Sequence, residues 1–160
     1  FATAGIDAPR LFAGIADAAR ARLRDFNSQD VANTAWAFAT ADVDAPRLFA
    51  AIADAAQARL GEFNPQALSN TALAFATADV DAPRLFAAIA DVARAWLGEF
   101  NPQAMANTAW AFAKMGFLAP RLFDGIADAA QSRLGDFNPQ DLANTAWAFA
   151  KMGVDAPRLF

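Results

Sequence analysis

Asn101-Pro102-Gln103-Ala104-Met105-Ala106-Asn107-Thr108-Ala109-Trp110-Ala111-Phe112-Ala113-Lys114 decides the fold, because the chain carries this stretch four times. The copies begin at Asn27, Asn64, Asn101 and Asn138, 37 residues apart with no insertion. A second block keeps the same period: Asp-Ala-Pro-Arg-Leu-Phe at 7–12, 44–49, 81–86 and 155–160, with Leu118-Ala119-Pro120-Arg121-Leu122-Phe123 as the variant copy. A fixed period of this length marks a solenoid, in which one unit cannot bury its apolar face alone and neighbours stack to bury it. The 160 residues hold about four repeats and read as a single array over 1–160. Both ends of the sequence fall inside a repeat, so the expectation is an excerpt of a longer array. Without polar capping repeats, residues 1–160 alone should associate or dissolve poorly.

Each repeat reads as two helices. Helix A opens on Asn64, Asn101 or Asn138 as N-cap, with Pro at the first helical position, where its missing N–H costs nothing. Asn27 is followed by Ser28 instead, and Asp30 and Asp141 favour the positive end of the dipole. Phe26, Phe63, Phe100 and Phe137 precede the caps and match Val31, Leu68, Met105 and Leu142 five residues on, a hydrophobic staple in every repeat. Helix A ends at Gly116 or Gly153 as a left-handed cap, with Asp42 and Asp79 in that place in the first two repeats. Helix B starts near Asp-Ala-Pro and runs to Gly61, Gly98 or Gly135, with Arg22, Arg59 and Arg133 in its last turn, where a cation suits the dipole. No segment reads as a strand. The spacing predicts helices near 9–24, 28–41, 46–60, 65–78, 83–97, 102–115, 120–134 and 139–152. The fold class is all-α, an α-solenoid of helix-turn-helix repeats. Its core should hold Phe38, Phe75, Phe112, Phe149, Leu48, Leu85, Leu122, Ile52, Ile89 and Ile126.

On a wheel of about 100° per residue, Met105, Thr108, Ala109, Phe112 and Met115 share one side of helix A. Opposite runs a polar-aromatic stripe: Gln29, Asn33, Trp36 and Thr40; Gln66, Asn70, Leu73 and Thr77; Gln103, Asn107, Trp110 and Lys114; Gln140, Asn144, Trp147 and Lys151. Amides offer paired donors and acceptors and Trp a stacking plane, so successive repeats could meet successive units of a linear ligand, one nucleotide per repeat. The plainer reading makes the Asn side chains partners of backbone groups between helices and the Trp rings packing between A helices, as Leu73 suggests. A second feature is a row of Arg10, Arg47, Arg84, Arg121 and Arg158 on the edge of the A-to-B loops. It is either a phosphate track or a set of partners for Asp7, Asp44, Asp81 and Asp155, each three residues earlier.

Composition narrows the chemistry. The chain has no His and no Cys, which removes disulfides, Cys/His zinc sites and Cys or His catalysis. Ser28, Ser69 and Ser132 do not pair by spacing with Lys114 or Lys151, and the Asp124/Asp128 pair reads as a solvated face. No enzyme activity, cofactor or metal is expected. No apolar run approaches the roughly 20 residues of a membrane span. The net charge of −4 lacks the basic excess of a phosphate-gripping protein and gives no reason to expect DNA.

Leu142-Ala143-Asn144-Thr145-Ala146-Trp147-Ala148-Phe149-Ala150-Lys151-Met152-Gly153 resembles the helix-A signature of octotricopeptide and heptatricopeptide repeats, organellar α-solenoids of algae and related protists often joined to a RAP domain. The resemblance covers essentially the whole chain, although it lacks the Pro-Pro-Pro-Glu-Trp segment of that pattern. It implies a non-enzymatic scaffold in chloroplast or mitochondrion that binds extended single-stranded RNA for processing, stability, translation or ribosome assembly. The rival is a protein-binding structural subunit of a larger organellar complex. Acidic charge and near-identical repeats favour the rival, since uniform stripes would read only a monotonous RNA.

Overall fold

The computed structural model describes residues 8–153. Among these residues the structure is helical throughout, with no strand. The helices are α1 (Ala8–Arg22), α2 (Ser28–Thr40), α3 (Pro46–Ala58), α4 (Pro65–Thr77), α5 (Pro83–Ala95), α6 (Pro102–Met115), α7 (Pro120–Gln131) and α8 (Pro139–Met152). Even-numbered helices are the A helices and odd-numbered ones the B helices. The expectations for Asp7, Asp155, Arg158 and the terminal phenylalanines lie outside the described residues.

The starts of the A helices follow the sequence signals. Each of Asn27, Asn64, Asn101 and Asn138 accepts the N–H of the residue three on, at 2.7 Å in every case. Asp30 and Asp141 also accept the backbone N–H of the cap residue, completing capping boxes. Thr34, Thr71, Thr108 and Thr145 each donate to the carbonyl four residues back at 2.7 Å, so this hydroxyl is spent inside its own helix. At the other end, Gly116 and Gly153 have φ of 66° and Asp42 and Asp79 have φ of 56° and 58°. All four repeats therefore need a left-handed residue. Gly116→Ala should cost about 1 kcal/mol in a urea melt through this backbone strain alone, because open space surrounds the position where a Cβ would stand. A neutral outcome would mean that the turn can relax.

The B helices end earlier than expected. Three of them stop at Ala58, Ala95 and Gln131, and 3₁₀ turns at Leu60–Glu62, Leu97–Glu99 and Leu134–Asp136 follow. Gly61, Gly98 and Gly135 lie within these turns and have no positive φ. The N–H of Arg59 reaches back to Ala56 rather than a full α turn, and that of Phe63 to Leu60. This tighter winding carries Leu60 and then Phe63 into the core. Arg59 and Arg133 also do something more specific than oppose a dipole. Their Nη1 atoms donate to the Phe26 and Phe100 carbonyls at 2.7 and 2.6 Å, just ahead of the A helix of the same repeat. Each ties the open end of a helical hairpin. Trp96 takes that place in the hairpin of α4 and α5, which therefore has no such tie. Arg59→Ala should lower stability by about 1.5–3 kcal/mol, whereas Arg94→Ala, on an exposed face, should change it by under about 0.5 kcal/mol; equal values in a chemical melt would contradict the tie.

A helices pack closely side by side and B helices more openly. The cause is alanine: Ala72, Ala74, Ala76, Ala109, Ala111 and Ala113 are fully buried where one A helix meets the next. All ten expected core residues are buried. Beyond those ten, the core holds a second set, Phe12, Phe49, Phe86 and Phe123 on the apolar arc of the B helices. Each meets a Phe of the next A helix edge-on, in the pairs Phe12–Phe38, Phe49–Phe75, Phe86–Phe112 and Phe123–Phe149, with ring centroids 4.9–5.1 Å apart. One aromatic pair per junction locks each repeat to its successor.

Candidate nucleic-acid interface

Burying both flanks of the inner A helices α4 and α6 leaves one strip of their surface open, and that strip is the polar-aromatic stripe. The helices α2 and α8, with one A-helix neighbour each among the described residues, are open on a flank as well. Gln29, Gln66, Gln103 and Gln140 are exposed; Asn33 is exposed, and Asn70, Asn107 and Asn144 are half-buried. None of these amides hydrogen-bonds to another described residue. The expectation that the Asn side chains satisfy backbone groups between helices is thus not what the geometry shows. Every fully buried polar side-chain atom among the described residues has a partner, so the amides keep their donors and acceptors at the solvent boundary.

The aromatic positions are intermediate between packing and display. Trp36 and Trp147, on the two outermost A helices of the described residues, are 40% and 43% exposed. Trp110 is half-buried, and its ring lies 6.1 Å from that of Trp147 at 33°. Lys114 Nζ stands 6.0 Å above the Trp110 ring and Lys151 Nζ 5.1 Å above that of Trp147. The third and fourth repeats thus form a ladder of two indoles with a cation over each. Leu73 interrupts that ladder in the second repeat.

The two lysines are not equivalent. Lys114 Nζ donates to the Ala76 carbonyl at 2.8 Å, capping the end of α4 from the next repeat, and is half-buried. Lys151 is exposed and is the freer cation. Along the A-to-B edge, Arg10, Arg47, Arg84 and Arg121 are all exposed. Among the described residues Arg47, Arg84 and Arg121 form no ion pair, so Asp44 and Asp81 do not neutralise the Arg three residues on. Each of these three follows the Pro that opens a B helix, beside the positive end of its dipole, where a cation gains nothing structurally. Arg158 lies outside the described residues.

The edge differs between repeats: the first two carry Thr40/Asp42/Asp44 and Thr77/Asp79/Asp81, and the third carries Lys114/Gly116/Leu118. No helix among the described residues is long and apolar enough to cross a membrane, and no cluster of acidic, His or Cys side chains there is arranged for a metal.

These features define an α-solenoid whose A helices present a row of unspent amides beside stacked, cation-capped indoles. Residues 1–157 match the family of the RNA-editing substrate-binding complex 6 protein, and the chain belongs to that family. This makes it a member of an RNA-related helical family, without assigning it to the octotricopeptide repeats in particular. Among curated proteins nothing matches the chain.

Proposed function

We propose that this chain is a non-enzymatic scaffold of an RNA-editing assembly and that its A-helix stripe binds extended single-stranded RNA directly. The observation that carries the reading is the row of four Asn amides with no hydrogen-bond partner among the described residues, on the same strip as the Trp110–Trp147 ladder. Purely structural amides would have been consumed by the stack. Membership in the RNA-editing substrate-binding complex 6 family supports it. With one nucleotide per repeat, the four A helices would engage about four nucleotides. The repeat unit is of the octotricopeptide type on this reading. The compartment is an organelle, the mitochondrion in preference to the chloroplast, because RNA-editing complexes of this type are typically mitochondrial.

The rival reading, a scaffold that contacts protein only, draws on the net charge of −4. Filter binding of single-stranded RNA at two salt concentrations separates the two. RNA binding should be measurable at low salt and weaken as salt rises. Asn107→Ala should alter base preference at one register, while Lys151→Ala should weaken binding to every sequence. If no single-stranded RNA binds below about 10 µM at low salt, a level that even non-specific binding reaches, the RNA reading of this segment fails.

A further inference from the structure

The A-to-B loops change character along the array. They read Asp42-Val43-Asp44 and Asp79-Val80-Asp81 in the first two repeats and Gly116-Phe117-Leu118 in the third. Between the first two loops lies a cavity of about 440 Å³ with Phe49, Phe75 and Val80 at its floor and Asp42, Asp44 and Asp81 at its rim. One repeat on, Phe117 replaces the valine. Its ring packs 6.0 Å from Phe86 and 5.7 Å from Phe112 and fills the corresponding space. Leu118 follows it and is left outside, 76% exposed, the most exposed large apolar side chain among the described residues. Arg121, exposed and without an ion pair among the described residues, stands three residues further on.

We infer that a second copy of this chain docks on this edge, the Leu118 loop of each copy entering the acidic groove of the other. The groove has the chemistry that the loop lacks a partner for. An apolar floor takes a leucine, and a carboxylate rim takes a guanidinium. Over the same repeat positions, 114–118 carry Lys114 and no carboxylate, while 40–44 and 77–81 carry four carboxylates and no cation; Arg47, Arg84 and Arg121 follow the three loops alike. Opposite signs on one edge of one molecule suit an antiparallel two-fold pairing, in which the same patch serves both partners. The axis then falls near the second loop, where Asp81 and Arg84 of one copy oppose Arg84 and Asp81 of the other. Three carboxylates at the rim repel phosphate, so the groove is not a continuation of the RNA strip.

Sedimentation of the full chain tests this. A dimer should form at low salt and weaken as salt screens the rim charges. Leu118→Asp and Asp44→Arg should each weaken it at least about ten-fold. Mixing the Asp44→Arg and Arg121→Asp variants should recover a heterodimer. Both altered sites are exposed, and unchanged circular dichroism checks that the variants fold. The chain has no cysteine, so Asp44→Cys mixed with Leu118→Cys should give a mixed disulfide on oxidation. A monomer at about 100 µM and low salt, well above the micromolar range of weak complexes, would overturn the inference, even if the groove captured a foreign basic peptide. Association untouched by Leu118→Asp and Asp44→Arg would overturn it equally, by placing the contact on other faces.

Discussion

Phe112→Ala should lower the stability of the chain by about 3–5 kcal/mol, the largest effect expected of a single substitution here. Phe112 is fully buried at the centre of the array, on α6, which packs between α4 and α8. Its ring meets Phe86 edge-on at 4.9 Å and Phe117 at 5.7 Å, so the substitution removes two aromatic contacts as well as the buried area. The cavity cannot close easily, because Ala109 and Ala113 on the same helix are fully buried and too small to fill it. In a solenoid, stability is the sum of repeat and junction terms. Phe112 belongs to the junction between the second and third repeats, so its loss should also broaden the urea transition as the array separates into halves. Leu118→Ala, at an exposed position, is the matched control and should change the midpoint little. A loss below about 1 kcal/mol for Phe112→Ala would show that the helix-A face has been assigned wrongly.

That face was legible because three local signals coincide in every repeat: an Asn cap, the staple phenylalanine before it, and the left-handed residue after the helix. Each depends on nearest neighbours in the chain; the Asn caps and the left-handed residues recur in the structure from Asn27 to Gly153, whereas Leu142, the expected staple partner of Phe137, stays 43% exposed. What the sequence hid is set between repeats. The Phe49–Phe75 pair joins residues 26 apart, and the Lys114 bond to the Ala76 carbonyl joins residues 38 apart. No periodicity on one helix reveals such partners. The same gap explains Arg59 and Arg133, which suited a dipole argument and turned out to tie a hairpin through a carbonyl 33 residues away. For the stripe, the sequence located the residues but could not tell whether their amides were consumed by the stack. Asn107 and Thr108 are adjacent and look equally polar, yet Thr108 spends its hydroxyl on Ala104 and the Asn107 amide bonds to none of the described residues.

Replacing Trp110 and Trp147 together by Ala should reduce affinity for single-stranded RNA by at least about thirty-fold, since stacking contributes about 1–3 kcal/mol per base. The two rings are tilted by 33° with centroids 6.1 Å apart, and Trp147 is 43% exposed, so it offers ring surface to a base while Trp110 supports it from behind. Trp147→Ala alone should account for most of the loss, because Trp147 is the more exposed ring and its removal disturbs little packing. Trp147→Phe should keep most of the affinity, since stacking needs an aromatic plane and not the indole N–H. Salt separates the ring from the cation above it. Lys151→Ala should reduce the slope of log affinity against log salt by about 1, whereas Trp147→Ala should lower affinity at every salt concentration and leave the slope unchanged. A scaffold that touches only protein predicts neither pattern. Wild-type RNA affinity in Trp147→Ala, with the salt slope also intact in Lys151→Ala, would leave the ladder as packing and remove the stripe from the RNA path.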